Sequence, residues 1–70
     1  MTVSLIVNGS EEEFASGSDA TAIVARLGLD PATPGIALAI NREVLPRSQW
    51  QQYQLRNGDE IELVTAVQGG

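Results

Sequence analysis

The chain has 70 residues, a formal net charge of −5, and no cysteine, histidine or lysine. That length holds one domain with a small core, and the missing thiol and imidazole groups argue against disulfide staples and against zinc or haem sites. The acidic balance argues against a nucleic-acid partner, because phosphate binding asks for a basic face. All four cations are arginines: Arg26, Arg42, Arg47 and Arg56. No apolar run is long enough to span a bilayer, and Met1-Thr2-Val3 leads straight into a strand pattern rather than a signal peptide. The expectation is a cytoplasmic protein with no membrane association.

Val3, Leu5 and Val7 alternate with Ser4 and Ile6, the period of a half-buried strand. Asn8-Gly9 then signals a tight hairpin, because both residues tolerate positive φ. Glu11 to Phe14 reads as a return strand whose charges blunt a sheet edge; a docking patch is the other reading of those glutamates. Phe14 is expected in the core. Asp19 stands where a helix cap belongs, and Ala20, Ile23, Val24 and Leu27 follow at i, i+3, i+4 and i+7, one apolar stripe. Gly28 is placed to end that helix, with Leu29 beyond it for the accompanying apolar contact.

Pro31 and Pro34-Gly35 stiffen the next loop. Ile36 to Ile40 reads as a strand with large residues on one face and Ala37 and Ala39 on the other. Asn41-Arg42 turns, and Glu43-Val44-Leu45 is a short return strand stopped by Pro46. Arg47 to Leu55 reads as irregular, with Ser48 capping a single helical turn, Trp50 and Tyr53 as lids at the core edge, and Arg47 bonding backbone carbonyls. Asn57-Gly58-Asp59 turns into a last strand, Glu60 to Val67, with Ile61 and Leu63 pointing one way. The two terminal strands, apolar and free of proline, suit the middle of the sheet as parallel neighbours. The predicted fold class is α+β: a mixed five-stranded sheet packed on one main helix, the ubiquitin-like β-grasp arrangement. Residues 1–66 form the domain and residues 67–70 a C-terminal tail.

The sequence ends in Gly69-Gly70. Without Cβ atoms such a tail can enter a narrow channel closed to larger residues, and its carboxylate is unhindered for attack on a nucleotide phosphate. With the usual nucleophiles and proton shuttles scarce, the chain reads as something acted upon. The plainer alternative is a frayed, glycine-rich terminus. The absence of lysine has two readings: codon bias, or a surface that offers an activated terminal acyl group no amine but the N-terminal one.

Three segments carry a resemblance: VSLIVNG at residues 3–9, IALAINREVLPRSQW at 36–50 and NGDEIELVTAVQGG at 57–70. Together they resemble the ThiS family, the sulfur carrier proteins of thiamine biosynthesis, along nearly the whole chain; residues 10–33 match in pattern only. The resemblance implies that the Gly70 carboxylate is adenylated by an E1-like adenylyltransferase of the ThiF type, using ATP and magnesium bound by that partner. Sulfur from a sulfur donor protein then replaces the adenylate, and the thiocarboxylate passes sulfur to a ThiG-like thiazole synthase. Gly69, Gln68 and Val67 would occupy the partners' tail channels. The chain itself would bind no cofactor and supply no catalytic residue other than its substrate-like terminus.

Strand parity leaves Ile6, Ala37, Ala39, Val64 and Ala66 on the sheet face away from the helix, flanked by Ser4, Glu60 and Glu62. An apolar patch on an open face marks a docking surface; scattered surface apolars are the alternative. Asp59, Glu60 and Glu62 either steer a basic partner or form a solvated edge. The competing functions are another β-grasp sulfur carrier, such as the small subunit of molybdopterin synthase, and a ubiquitin-like interaction module with an inert tail. The former tends to carry a proline and an aromatic before the diglycine, and Ala66-Val67-Gln68 has neither. A small enzyme built on a carboxylate pair has no supporting spacing.

Overall fold

Asn8 and Gly9 take positive φ, 50° and 84°, the requirement of a two-residue hairpin turn that follows the natural twist of its strands. They join β1 (Thr2–Val7) to β2 (Ser10–Ala15) in antiparallel register, with Val3 opposite Phe14 and Val7 opposite Ser10. The structure, a computed structural model, describes residues 1–66. Leu5, Val7 and Phe14 are buried, whereas Ile6 points outward, so the predicted alternation of β1 holds.

The helix α1 (Thr21–Arg26) is short. The helix N-cap is Ala20, with no side-chain cap bond, rather than the expected Asp19; Asp19 instead closes the turn before it, accepting from the Thr21 amide at 2.9 Å and from the Thr21 hydroxyl. Ala20, Ile23 and Val24 are fully buried. Leu27, expected to complete the stripe, is 45% exposed. The reason lies in the helix end. The Gly28 amide donates to the Ala25 carbonyl (3.0 Å) and the Leu29 amide to the Val24 carbonyl (3.1 Å), with Gly28 at φ 79°. That is a Schellman closure, and it turns the chain before Leu27 comes round to the core. Leu29 packs there instead. Arg26 ties the helix to β2: its guanidinium lies 4.1 Å from the centre of the Phe14 ring and donates to the Glu13 carbonyl at 2.9 Å.

β3 (Ile36–Ile40) and β4 (Glu43–Leu45) form a second hairpin through Asn41 and Arg42, both at positive φ. The segment after Pro46 departs from expectation. It is a 3-10 helix over Arg47–Gln52, about two turns at three residues each. No side chain caps it, Ser48 included. Trp50 is no lid: it is 2% exposed, a core residue whose indole N–H donates to the Leu45 carbonyl at 2.9 Å. Tyr53 is half-buried against the core.

β5 (Glu60–Thr65) completes the sheet, in the order β2-β1-β5-β3-β4. It runs parallel to β1 and antiparallel to β3. One sheet face, carrying Leu5, Val7, Ile36, Leu38, Ile40, Ile61 and Leu63, shares a single core with α1 and Trp50. Asp59 also departs from expectation. Expected among the solvated or steering acids, it is 5% exposed and bonded within the fold. The predicted α+β class, the five strands and the central parallel pair are all present. Val67, placed in the last strand by the sequence reading, lies outside the described residues, as do Gln68, Gly69 and Gly70.

Candidate functional site

β5 leads to the C-terminal residues, and two asparagines hold its borders. Asn8 Oδ1 accepts from the Leu63 amide (2.9 Å), and Asn8 Nδ2 donates to the Leu63 carbonyl (3.3 Å). On the other side Asn41 Oδ1 accepts from the Glu60 amide (3.0 Å), and the Asn41 amide donates to the Glu60 carbonyl (2.8 Å). Each side chain continues a ladder where its own strand has turned away. The strand pairs with β3 as far as Ile36 opposite Thr65, and the Ala66 amide donates to the Gly35 carbonyl at 2.7 Å.

The outward face divides the predicted docking residues. Ala37 lies opposite Val64, Ala39 opposite Glu62, and Val44 of β4 opposite Ala39. Ala37, Ala39, Val44 and Val64, with Leu38 and Glu62, line a shallow depression of about 130 Å³. Val64 is 59% and Val44 76% exposed. Ala66 is exposed at the end of this strand. Ile6 sits apart: it pairs with Glu60, four positions before Val64 on β5, a separation of about 13 Å at the strand rise. Val44 was not among the sequence candidates. Its signal was present, because a two-residue turn at Asn41-Arg42 sets Val44 against Ala39 and points it the same way.

A second cluster holds the loop before β3. The Arg47 guanidinium lies 4.5 Å from the centre of the Trp50 ring and donates to the carbonyls of Pro31 and of Thr33, the latter at 2.6 Å. This is the carbonyl bonding expected of Arg47. Among the described residues no group of three or more acidic, histidine or cysteine side chains is arranged to hold a metal ion, and no helix is long and apolar enough to cross a membrane.

The family model for ThiS matches residues 3–70. The chain belongs to the ThiS family. Relatives of this ThiS-family chain include the sulfur carrier protein ThiS of Escherichia coli, 45% identical over 42 residues that cover 60% of this chain and 64% of that protein. A thiazole synthase of Paramagnetospirillum magneticum is 32% identical over 66 residues, covering 94% of this chain. The match spans 20% of that longer protein. Among solved structures, the thiamine biosynthesis protein (ThiS) of Geobacter metallireducens superposes with a TM-score of 0.76 at 24% identity, over 97% of this chain and all of the other. That likeness is one of fold, and it is the β-grasp the strand order describes.

Proposed function

We propose that this ThiS-family chain is a sulfur carrier of thiamine biosynthesis and that it carries sulfur on the α-carboxyl group of Gly70. The observation behind the reading is the reach of the family match, which runs from residue 3 through residue 70 and so takes in the diglycine as well as the folded part. A carboxylate is a poor acyl donor. Attack of a Gly70 oxygen on the α-phosphate of ATP expels pyrophosphate and leaves an acyl adenylate. Hydrosulfide released by the donor protein then displaces AMP: the C–S bond forms as the C–O bond to AMP breaks, and the thioacid so formed loses its proton. The product thiocarboxylate bears its charge on a soft sulfur suited to transfer.

In this reading the chain is a protein co-substrate rather than an enzyme. ATP and magnesium belong to a ThiF-like E1-type adenylyltransferase. Val67, Gln68 and Gly69 pass through the partner's channel, where glycine's lack of a Cβ matters most. Sulfur goes to a ThiG-like thiazole synthase; a likeness of this chain to a segment of one thiazole synthase supports that partner. Ala37, Ala39, Val64 and Ala66, joined by Val44, form the surface on which the activating partner docks, and the setting is the cytoplasm.

The test is direct. The chain is incubated with the adenylyltransferase, ATP and a sulfur donor, and its intact mass is recorded. Replacement of one oxygen by sulfur, localised to Gly70 by fragmentation, is the expected result. A mass that never changes, with no adenylate trapped, overturns the reading.

A further inference from the structure

We propose that Arg47 is a positioning residue for the C-terminal tail, acting through the loop that ends at Gly35 on the amide of Ala66. The proposal rests on the reading of Gly70 as the sulfur-bearing group, and it starts from contacts that docking and carrier chemistry leave unexplained.

The guanidinium has a fixed seat. Trp50 is buried and anchored by its indole bond to Leu45, and Arg47 stacks on it at 4.5 Å. From that seat Arg47 donates to the Pro31 and Thr33 carbonyls, a fork that a lysine's single ammonium does not reproduce. The loop is also bonded internally, from the Thr33 amide to the Asp30 carbonyl (2.8 Å) and from the Ala32 amide to Asp30 Oδ1 (2.9 Å). Thr33 precedes Pro34, so both have restricted backbones. Gly35 follows, at φ 86°, and its carbonyl accepts the Ala66 amide at 2.7 Å. This bond extends the β3–β5 ladder by one rung beyond Ile36 and Thr65.

Gly35 differs from the other described glycines. All five have positive φ, but a Cβ on Gly9, Gly17, Gly28 or Gly58 would meet nothing within 4 Å, whereas one on Gly35 would lie 3.4 Å from the Ala66 Cβ. The loop therefore abuts the point where residues 67–70 begin. Arg47 thus fixes Ala66, the residue from which the tail starts.

Four proteins test this: the wild type, Arg47→Gln, Gly35→Ala, and Gly17→Ala as a control sharing the backbone strain without the tail contact. Amide hydrogen exchange is measured at Ala66 and Leu63, and steady-state adenylation by a ThiF-like enzyme is measured against carrier concentration. In Arg47→Gln and Gly35→Ala the Ala66 amide is expected to exchange about three- to tenfold faster, the worth of one weakened hydrogen bond, with Leu63 unchanged. The kcat for adenylation is expected to fall by a similar factor with KM unchanged, and Gly17→Ala to match the wild type in both. Unchanged Ala66 exchange in Arg47→Gln overturns the proposal, as does Leu63 accelerating in step with Ala66, which marks general loosening. A rise in KM at constant kcat overturns it too, since that assigns Arg47 to docking. If the wild type is never adenylated, the carrier reading fails, and Ala66 exchange alone still decides whether Arg47 fixes the tail root.

Discussion

Asp59 accepts hydrogen bonds from Asn41 Nδ2, the Tyr53 hydroxyl and the Arg56 amide, each at 3.0 Å. It is the acid that joins the Asn57-Gly58 turn to the β3–β4 turn and to the end of the 3-10 segment. The Tyr53 phenol is pushed above its ordinary value of 10.0, first by burial, then by donating to Asp59 and by facing its charge, while Arg56 pulls the other way. The folded state therefore holds this proton more tightly than the unfolded chain does. The stabilisation it brings is complete below about pH 10, where both states are protonated, and declines as pH rises from there through the folded value. The chain has one tyrosine and no lysine or cysteine, so no other side-chain type present has its ordinary pKa close to that of a phenol. Urea denaturation of the wild type is expected to show stability falling above about pH 10, and Tyr53→Phe to show a flat alkaline limb. At pH 7 the same substitution is expected to cost about 1 kcal/mol, because it removes a hydrogen bond to a buried carboxylate. An unchanged alkaline decline in the variant would mean that some other group binds its proton differently in the two states. None of this could be read from the sequence: Asp59-Glu60-Ile61-Glu62 looks like an acidic strand edge, and only the fold brings Tyr53 and Asn41 to one carboxylate.

At the scale of elements, α1 has six residues, fewer than an isolated helix needs to persist in water. Burial of Ala20, Ile23 and Val24 supplies its tertiary support, and it lies between the turn closed by Asp19 and the closure at Gly28. Gly28 at φ 79° has open space where a Cβ would lie. Gly28→Ala is therefore expected to cost about 1 kcal/mol of stability from backbone conformation alone, measured as a shift in the denaturation midpoint at constant slope. A loss of 3 kcal/mol or more would mean that the Schellman closure itself comes apart. The elements legible in the sequence were those with strong local chemistry: the Asn8-Gly9 hairpin, the helix stripe as far as Val24, and the Ile36–Ile40 alternation. The 3-10 segment was not. RSQWQQ has one large apolar residue and no periodicity, so nothing local says that Trp50 turns inward. Leu27 misled for the opposite reason, since its spacing is helical but the helix has already ended.

The sheet has one face committed to the core and one left open, and under the proposed function the open face is where the chain meets a partner. Parity selected most of its residues, with Val44 missed, but could not say which lie together, because that depends on the register between strands distant in sequence. Register puts Val64, Ala37, Ala39 and Val44 side by side and leaves Ile6 about 13 Å away along β5. It also lines the depression with Glu62, so the apolar surface has an acidic border in a chain of net charge −5, a combination that suits a partner segment with an apolar anchor and basic neighbours. Val64→Arg and Val44→Arg each place a charge in the depression and, if the proposed activating enzyme docks there, are expected to weaken its binding at least about tenfold, since a desolvated, unpaired guanidinium opposes the contact. Both side chains point to water in the free chain, so the melting temperature is expected to stay within a few degrees of the wild type. Ile6→Arg distinguishes a patch from a face. If docking uses the depression, Ile6→Arg binds within about threefold of the wild type, the size of an ordinary effect at an interface rim. If all three variants lose affinity equally by titration calorimetry, the partner covers the whole open face from β1 to β4. If none does, the partner holds the chain elsewhere.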